Sequence, residues 1–119
     1  MKITSSVFSD KFELCNAKGE VVKEVPFTIN LTNTAQTVLQ KRQDLDAVNP
    51  DDVDAMGKAF QDLLIIIFGK EVTDELVDFF QNDYLAMITE LAPVLTDHIF
   101  PVFHKYRKSA IAAKKKVKK

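Results

Sequence analysis

The fold is decided by one central stretch, NPDDVDAMGKAFQDLLIIIFG, which covers residues 49–69. Asn49 and Pro50 at its start predict the beginning of a helix, because Asn caps free N–H groups and Pro suits the first helical position. Gly69 predicts the end of the helix, since Gly is favoured directly after one. Between them the apolar residues recur at helical spacing and form one stripe: Val53, Met56, Phe60, Leu63, Leu64 and Ile67.

Upstream of this helix, residues 7–31 predict a β-hairpin. Asn16 to Gly19 predict its turn, because Asn favours turn starts and Gly accepts a positive φ. A period of two gives each strand one apolar face, and a lone hairpin is marginal in water, so we expect it to pack on the helices. The alternating apolar residues are Phe12, Leu14, Val25, Phe27 and Ile29.

Two further helix starts are predicted on either side of the central stretch. Thr32 or Asn33 predicts the start of a first helix that reaches about Ala47. Downstream, Thr73 predicts the start of a third, short helix, with carboxylates in its first turn.

The last helix is predicted to run from about Asp83 to about Ala113. Its apolar stripe continues in phase past Pro93 and Pro101, which favours one helix kinked at proline over separate fragments. The stripe consists of Tyr84, Ile88, Leu91, Leu95, Ile99, Val102 and Tyr106.

These elements predict an α+β protein that is mostly α: an N-terminal β-hairpin packed on a bundle of about four helices. Residues 1–113 form a single domain, with the hairpin in residues 7–31 and the helices in residues 32–113. Residues 114–119 are predicted to be a flexible basic tail. A chain of 119 residues with 46% hydrophobic residues is long and apolar enough for one core.

Charge is segregated along the chain. From Asp44 to Asp97 there are thirteen acidic and two basic side chains, a net charge of −11. From Lys105 onward there are eight basic side chains and no acidic one. Charge placed in this way acts on association and solubility, not on fold, so it favours a protein that meets partners.

Composition also bears on the compartment. Cys15 is the single cysteine, so no internal disulfide can form, and we expect its side chain to be a small buried hydrophobe. No secretory signal is visible at the N-terminus, and the longest purely apolar run has six residues, Leu63 to Phe68. We therefore expect a soluble, intracellular protein without membrane contact.

The residues show no catalytic or metal-binding pattern. His98 and His104 are six positions apart, which is not the i, i+4 spacing of a helical metal pair. Three glycines in the whole chain cannot build a loop that cradles phosphate. We expect no enzyme activity, no metal and no cofactor; an enzyme would need Asp97, His98 or His104 to converge in a cleft.

Two groups of residues could bind partners instead. Ile65 and Ile66 make the end of the central helix apolar on nearly every side, and Phe79, Phe80 and Tyr84 form an aromatic group. Core packing is the alternative for these residues, because aromatics fill cores as well as interface centres.

The basic C-terminal residues also leave several readings open. They suit a solvated helix end, an acidic protein surface, anionic lipid or the phosphates of nucleic acid. The residues concerned are Arg107, Lys114, Lys115 and Lys116.

The order of these elements resembles the tail assembly chaperones of long-tailed bacteriophages. The resemblance is carried by LLIIIFG at residues 63–69, by LVDFFQNDY at residues 76–84 and by the helix that follows, residues 85–102. In that family an apolar helix ends at Phe-Gly, and a short acidic and aromatic helix leads into the last helix. The resemblance covers roughly residues 10–108.

If the resemblance holds, several properties are implied. The protein would be a viral protein made in the host bacterial cytoplasm, from a phage or prophage, and absent from the finished virion. It would bind and solubilise the tape measure protein, help to recruit the tail tube protein, and self-associate. A longer form could arise by frameshifting if Lys114 to Lys116 are encoded by a run of adenines. The alternative is a small nucleic-acid-binding protein that uses the basic C-terminal tail.

Overall fold

The computed structural model describes Met1 and residues 7–117, except for the side chains of residues 32, 33, 35, 36 and 109–117. Strands β1 (Val7–Cys15) and β2 (Val21–Asn30) form an antiparallel hairpin. Helices α1 (Leu31–Asp46), α2 (Val53–Phe68) and α3 (Lys70–Phe79) follow. The last helix consists of α4 (Tyr84–Val94), a π-helical segment (Leu95–Ile99) and α5 (Phe100–Val117). The predicted α+β architecture, a hairpin followed by four helices, is confirmed.

The hairpin turn forms as its residues predict. The Gly19 N–H donates to the Asn16 carbonyl at 2.9 Å, and Gly19 has a φ of +82°. The Asn16 side chain accepts the N–H groups of Lys18 and Glu20 at 2.9 and 3.1 Å. Asn16 therefore starts the turn with both its backbone and its side chain, and Gly19 supplies the positive φ that the turn needs.

One face of the hairpin is buried against the helices. Val25, Phe27 and Ile29 are buried from β2, as the period of two predicts. The Phe27 ring centroid lies 4.8 Å from that of Phe12 in β1 and 4.8 Å from that of Phe68 at the end of α2. We call Phe12, Phe27 and Phe68 the aromatic cluster; it joins both strands to the central helix.

Cys15 is exposed, so the expectation of a buried thiol is wrong. Leu14, one residue earlier, points into the core. Successive side chains in a strand point to opposite faces, so Cys15 must face solvent.

The central helix begins later than predicted. Its N-cap is Asp52, whose Oδ1 accepts the Ala55 N–H at 3.1 Å, so the assignment of Asn49 and Pro50 to the helix start is wrong. Asn49 instead closes a turn, in which its Oδ1 accepts the Asp51 N–H at 3.0 Å. Asn-Pro is as good a start for a turn as for a helix, and here the turn uses it.

The start of the first helix is corrected in the same way. α1 begins at Leu31, directly after β2, so neither Thr32 nor Asn33 is its N-cap. The Thr34 hydroxyl donates to the Asn30 carbonyl at 2.5 Å, within the first turn. The chain passes from strand to helix without a separate loop, which leaves no room for the predicted cap.

Gly69 ends α2 as predicted, with a φ of +89° and a ψ of 163°. It is also the N-cap of α3, so the assignment of Thr73 as the cap is wrong. Thr73 lies inside α3, fully buried, and its hydroxyl donates to the Gly69 carbonyl at 2.8 Å. Only Gly adopts this backbone conformation readily, and one residue therefore separates the two helices.

The last helix is continuous across both prolines, and it continues to Val117, four residues past the predicted end at Ala113. Its irregularity is the π-helical segment, in which the Phe100 N–H donates to the carbonyl of Leu95, five residues back. Pro101 follows directly; a π-turn before a proline relieves the clash with the preceding turn. Lys118 and Lys119 of the predicted tail lie outside the described residues.

Candidate partner-binding groove

An open groove of about 410 Å³ lies between α1 and the end of the last helix. Val38, Leu39 and Arg42 line it from α1, at spacings that put them on one side of that helix. The last helix supplies the opposite wall with Thr96, Phe100, Pro101, Phe103, His104 and Arg107.

The groove has a buried apolar floor, and part of its apolar lining is exposed to solvent. Val38 and Phe103 are buried, while Leu39 is 42% exposed. Small-molecule and helix-binding grooves share this composition, with apolar lining and a few polar groups.

Three of the lining residues can carry positive charge, and none carries a carboxylate. Arg42 lies over Phe100, with 4.7 Å between its guanidinium carbon and the ring centroid. His104 and Arg107 are one turn apart on α5, and all three side chains are exposed. The cation–π contact holds the Arg42 charge above the apolar floor.

A smaller depression of about 160 Å³ continues the groove. It shares Arg42, Thr96 and Phe100 with the groove, so the Arg42 side chain lies between the two. Its other lining residues are Leu45, Asp46, Phe60, Leu63, Ala92 and Leu95. Later residues of α1 thus meet earlier residues of the last helix, so the two helices run antiparallel.

The predicted partner-binding residues mostly lie elsewhere. Ile65 and Ile66 are half-buried on α2 and do not line the groove. Arg107 does line it. The side chains of Lys114, Lys115 and Lys116 lie outside the described residues. Of the predicted residues whose side chains the structure describes, Arg107 alone lines the groove.

The three predicted aromatics pack partly against the core. Phe79 and Phe80 make an edge-to-face contact with 5.2 Å between ring centroids, and both are half-buried. Tyr84 is pressed against α2, since a Cβ added at Gly57 would lie 2.7 Å from its Cβ and Cγ atoms. Core packing accounts for these contacts, and partner binding by the three residues stays a prediction.

The two histidines take different positions. Both are exposed; His104 lines the groove and His98 does not. Within residues 7–117, no group of three His, Cys, Asp or Glu side chains could hold a metal ion.

Most of the groove was not predicted from the sequence. The apolar spacing of Phe100 and Phe103 indicates that this face of the helix meets something, but it does not say whether α1 covers them. Arg42 was missed because a lone Arg on a polar helix carries no signal of its own.

By length and composition alone, the segment Tyr84–Lys108 of the last helix could cross a membrane. In the fold, 22% of its most apolar window is buried. Core helices of soluble proteins pass the same test, so the expectation of no membrane contact stays a prediction.

Comparison of the chain with family models, curated proteins and solved structures finds no match.

Proposed function

We propose that this protein is a non-enzymatic tail assembly chaperone of a long-tailed phage or prophage. It binds and solubilises the tape measure protein in the host bacterial cytoplasm, helps to recruit the tail tube protein, and self-associates. The family resemblance of residues 63–102 motivates the identity of the client.

The groove between α1 and the last helix is the observation that carries the proposal. From Thr96 to Arg107 its wall extends about 16 Å, or three turns of helix. An amphipathic helix binds such a surface by laying its apolar face into it. A client helix held there removes apolar surface from water, so binding keeps the client soluble by mass action.

The shape of the molecule also supports the proposal. Its radius of gyration is 16.2 Å, with extents of 54, 34 and 21 Å. A compact domain of this length has a radius of gyration of about 13.5 Å. An elongated molecule offers more surface to partners than a compact one of the same mass.

Co-expression tests the proposal. The chain is expressed with the tape measure protein from the same genome, and the soluble fraction of that protein is measured. We expect the native chain and the Leu85→Asp variant to raise the soluble fraction above that of the tape measure protein expressed alone. The Leu39→Asp variant should raise it less than the native chain does. Leu85 is the matched control, because it is 61% exposed on α4 and outside the groove. A soluble fraction that the native chain does not change would rule the function out.

Nucleic-acid binding is the competing function, favoured by the exposed cations Lys105, Arg107 and Lys108 on α5. Binding to a DNA duplex would then weaken steeply with salt, in proportion to the phosphates neutralised. It would also be lost when residues 114–119 are removed. Fluorescence anisotropy with a labelled duplex over a salt series measures both effects.

A further inference from the structure

We infer that the groove selects an acidic amphipathic helix, whose carboxylates pair with Arg42 and Arg107 while its apolar face covers Leu39, Phe100 and Phe103. The inference rests on the proposed function, since it concerns the same groove. It adds the chemistry that the partner must have.

The lining of the groove favours a helix as the occupant. Val38 and Arg42 on α1 are one turn apart, as are Phe100 and His104 on α5. The last helix lines the groove for about three turns and α1 for about one turn, and the two helices run antiparallel. A cleft between two helices is the shape that a third helix fills.

The charges in the groove favour an acidic occupant. Arg42 and Arg107 are exposed at the groove, and in the described part of the chain the ion pairs are Lys11 with Glu24 and Lys23 with Glu75. Neither guanidinium is thus in an ion pair with a described side chain of its own chain. Unpaired guanidiniums beside an apolar floor attract carboxylates, which also accept their N–H groups.

The rest of the body would repel the same partner. Residues 44–97 carry a net charge of −11, whereas the groove is lined by residues just before and just after this stretch, together with Thr96. Like charges disfavour wrong docking sites, so an acidic helix is directed to the groove by repulsion as well as by attraction.

The positions of the two arginines set the spacing of the carboxylates. The Arg42 side chain of α1 lies over Phe100 of α5. Arg107 lies on α5 as well, seven residues after Phe100. That separation is about 10 Å, or two turns. A partner helix that runs along α5 therefore needs acidic residues at positions i and i+7, next to its apolar stripe.

Two matched peptides test the inference on the full chain. Both are 18-residue alanine-based helices with leucines on one face; one carries Glu at positions i and i+7, the other Lys. Fluorescence anisotropy measures their affinities at low and high salt. We expect the Glu peptide to bind about tenfold more tightly at low salt, and the difference to shrink at high salt.

Variants locate the binding. We expect Arg107→Gln to weaken binding of the Glu peptide about fivefold, the upper end of what one exposed ion pair contributes. Lys108→Gln, at the exposed neighbouring position outside the groove, leaves the affinity unchanged. Leu39→Asp abolishes binding of the Glu peptide and Leu85→Asp does not. Circular dichroism confirms that each variant is folded.

The possible failures are distinguishable. Equal affinities for the two peptides, both lost in Leu39→Asp, would leave the proposed function standing and overturn the acidic selectivity. If neither peptide binds, the groove does not hold an amphipathic helix, and the proposed function loses its structural support. A dimer that Leu39→Asp dissociates, seen by light scattering, would identify a second copy as the occupant and overturn the inference.

Discussion

The two ends of the helical bundle are both rich in apolar side chains, yet one is covered and the other is open. At the aromatic cluster, Phe27 is 6% exposed and Phe68 is 6% exposed. At the groove, Phe100 is half-buried and Leu39 is 42% exposed. The difference shows that apolar content alone does not close a surface.

The width of the covering element explains the difference. The hairpin is two strands wide, and both strands place aromatic rings on α2. Among its described side chains, α1 instead offers a narrow apolar stripe of Leu31, Val38 and Leu45. Neighbouring turns of α5 need a broader partner, so the last helix keeps part of its apolar wall exposed.

The largest expected effect comes from the aromatic cluster. Phe27→Ala should lower the free energy of unfolding by about 3–5 kcal/mol, because it leaves a cavity between both strands and α2. The matched change at the groove, Phe100→Ala, should cost about 1–2 kcal/mol, since that ring is already half-exposed. Urea unfolding followed by circular dichroism measures both. Equal costs would contradict the contrast between the two ends.

The bend at Gly69, directly after Phe68 of the cluster, gives the second effect. Gly69→Ala should cost about 1–3 kcal/mol, because a φ of +89° strains any residue with a Cβ. No atom lies within 4 Å of the added Cβ, so the cost is backbone strain and not a clash. Lys70→Ala, at the exposed next position, is the control. Thermal unfolding of the two variants at the same midpoint would refute the argument.

A third change should weaken both ends together. Asp52→Ala removes the N-cap of α2, the helix that reaches the cluster through Phe68 and the smaller depression through Phe60. The expected cost is about 1 kcal/mol in the free energy of unfolding. Asn49→Ala should cost less, because Asn49 only closes the preceding turn. Chemical denaturation of both variants measures the two costs. A greater cost for Asn49→Ala than for Asp52→Ala would identify Asn49 as the N-cap.

The smallest effect on stability is expected at the groove wall. Leu39→Ser should lower the free energy of unfolding by about 0.5–1 kcal/mol, since Leu39 is 42% exposed and loses only part of the apolar contact of a buried Leu. The affinity of this variant for the acidic peptide should nevertheless fall, because Leu39 contacts the apolar face of the bound helix. Denaturation and anisotropy are measured on the same sample. A large loss of stability would mean that Leu39 serves the core and not the groove.

Local signals predicted much of the fold. The turn at Asn16 to Gly19, the helix end at Gly69 and the long last helix are confirmed. Each depends on a short-range preference that no other part of the chain opposes: positive φ at Gly, and a stripe that continues past the prolines. The hairpin faces follow from the period of two in the same way.

Helix starts were predicted less well, because several residues near each start can cap. Asn49 and Asp52 both suit the position, and Thr73 suits it as well as Gly69 does. Which of them caps depends on where packing ends the helix, and that is not a local property. Cys15 was misplaced for a simpler reason: Leu14 takes the inward position, and the next residue must point out.

The buried stripe of the last helix shows a subtler limit. Met87, Leu91, Leu95, Ile99 and Phe103 are buried at steps of four residues. A step of four exceeds one turn of 3.6 residues by about 40°, so a regular helix would turn Phe103 away from Met87. The wider turn of the π-helical segment takes up part of this excess. Period-3.6 reasoning therefore left out Met87 and Phe103, although it identified the face.

The sequence by itself determined the class of the fold, the segregation of charge and the apolar faces that must be covered. Periodicity and turn chemistry act over a few residues, so they can be read without a structure. Tertiary structure alone decided which faces remain open, because coverage depends on the widths and directions of elements far apart in the chain. It placed Arg42 of α1 over Phe100 and in the same groove as Arg107, a combination that no local pattern contains.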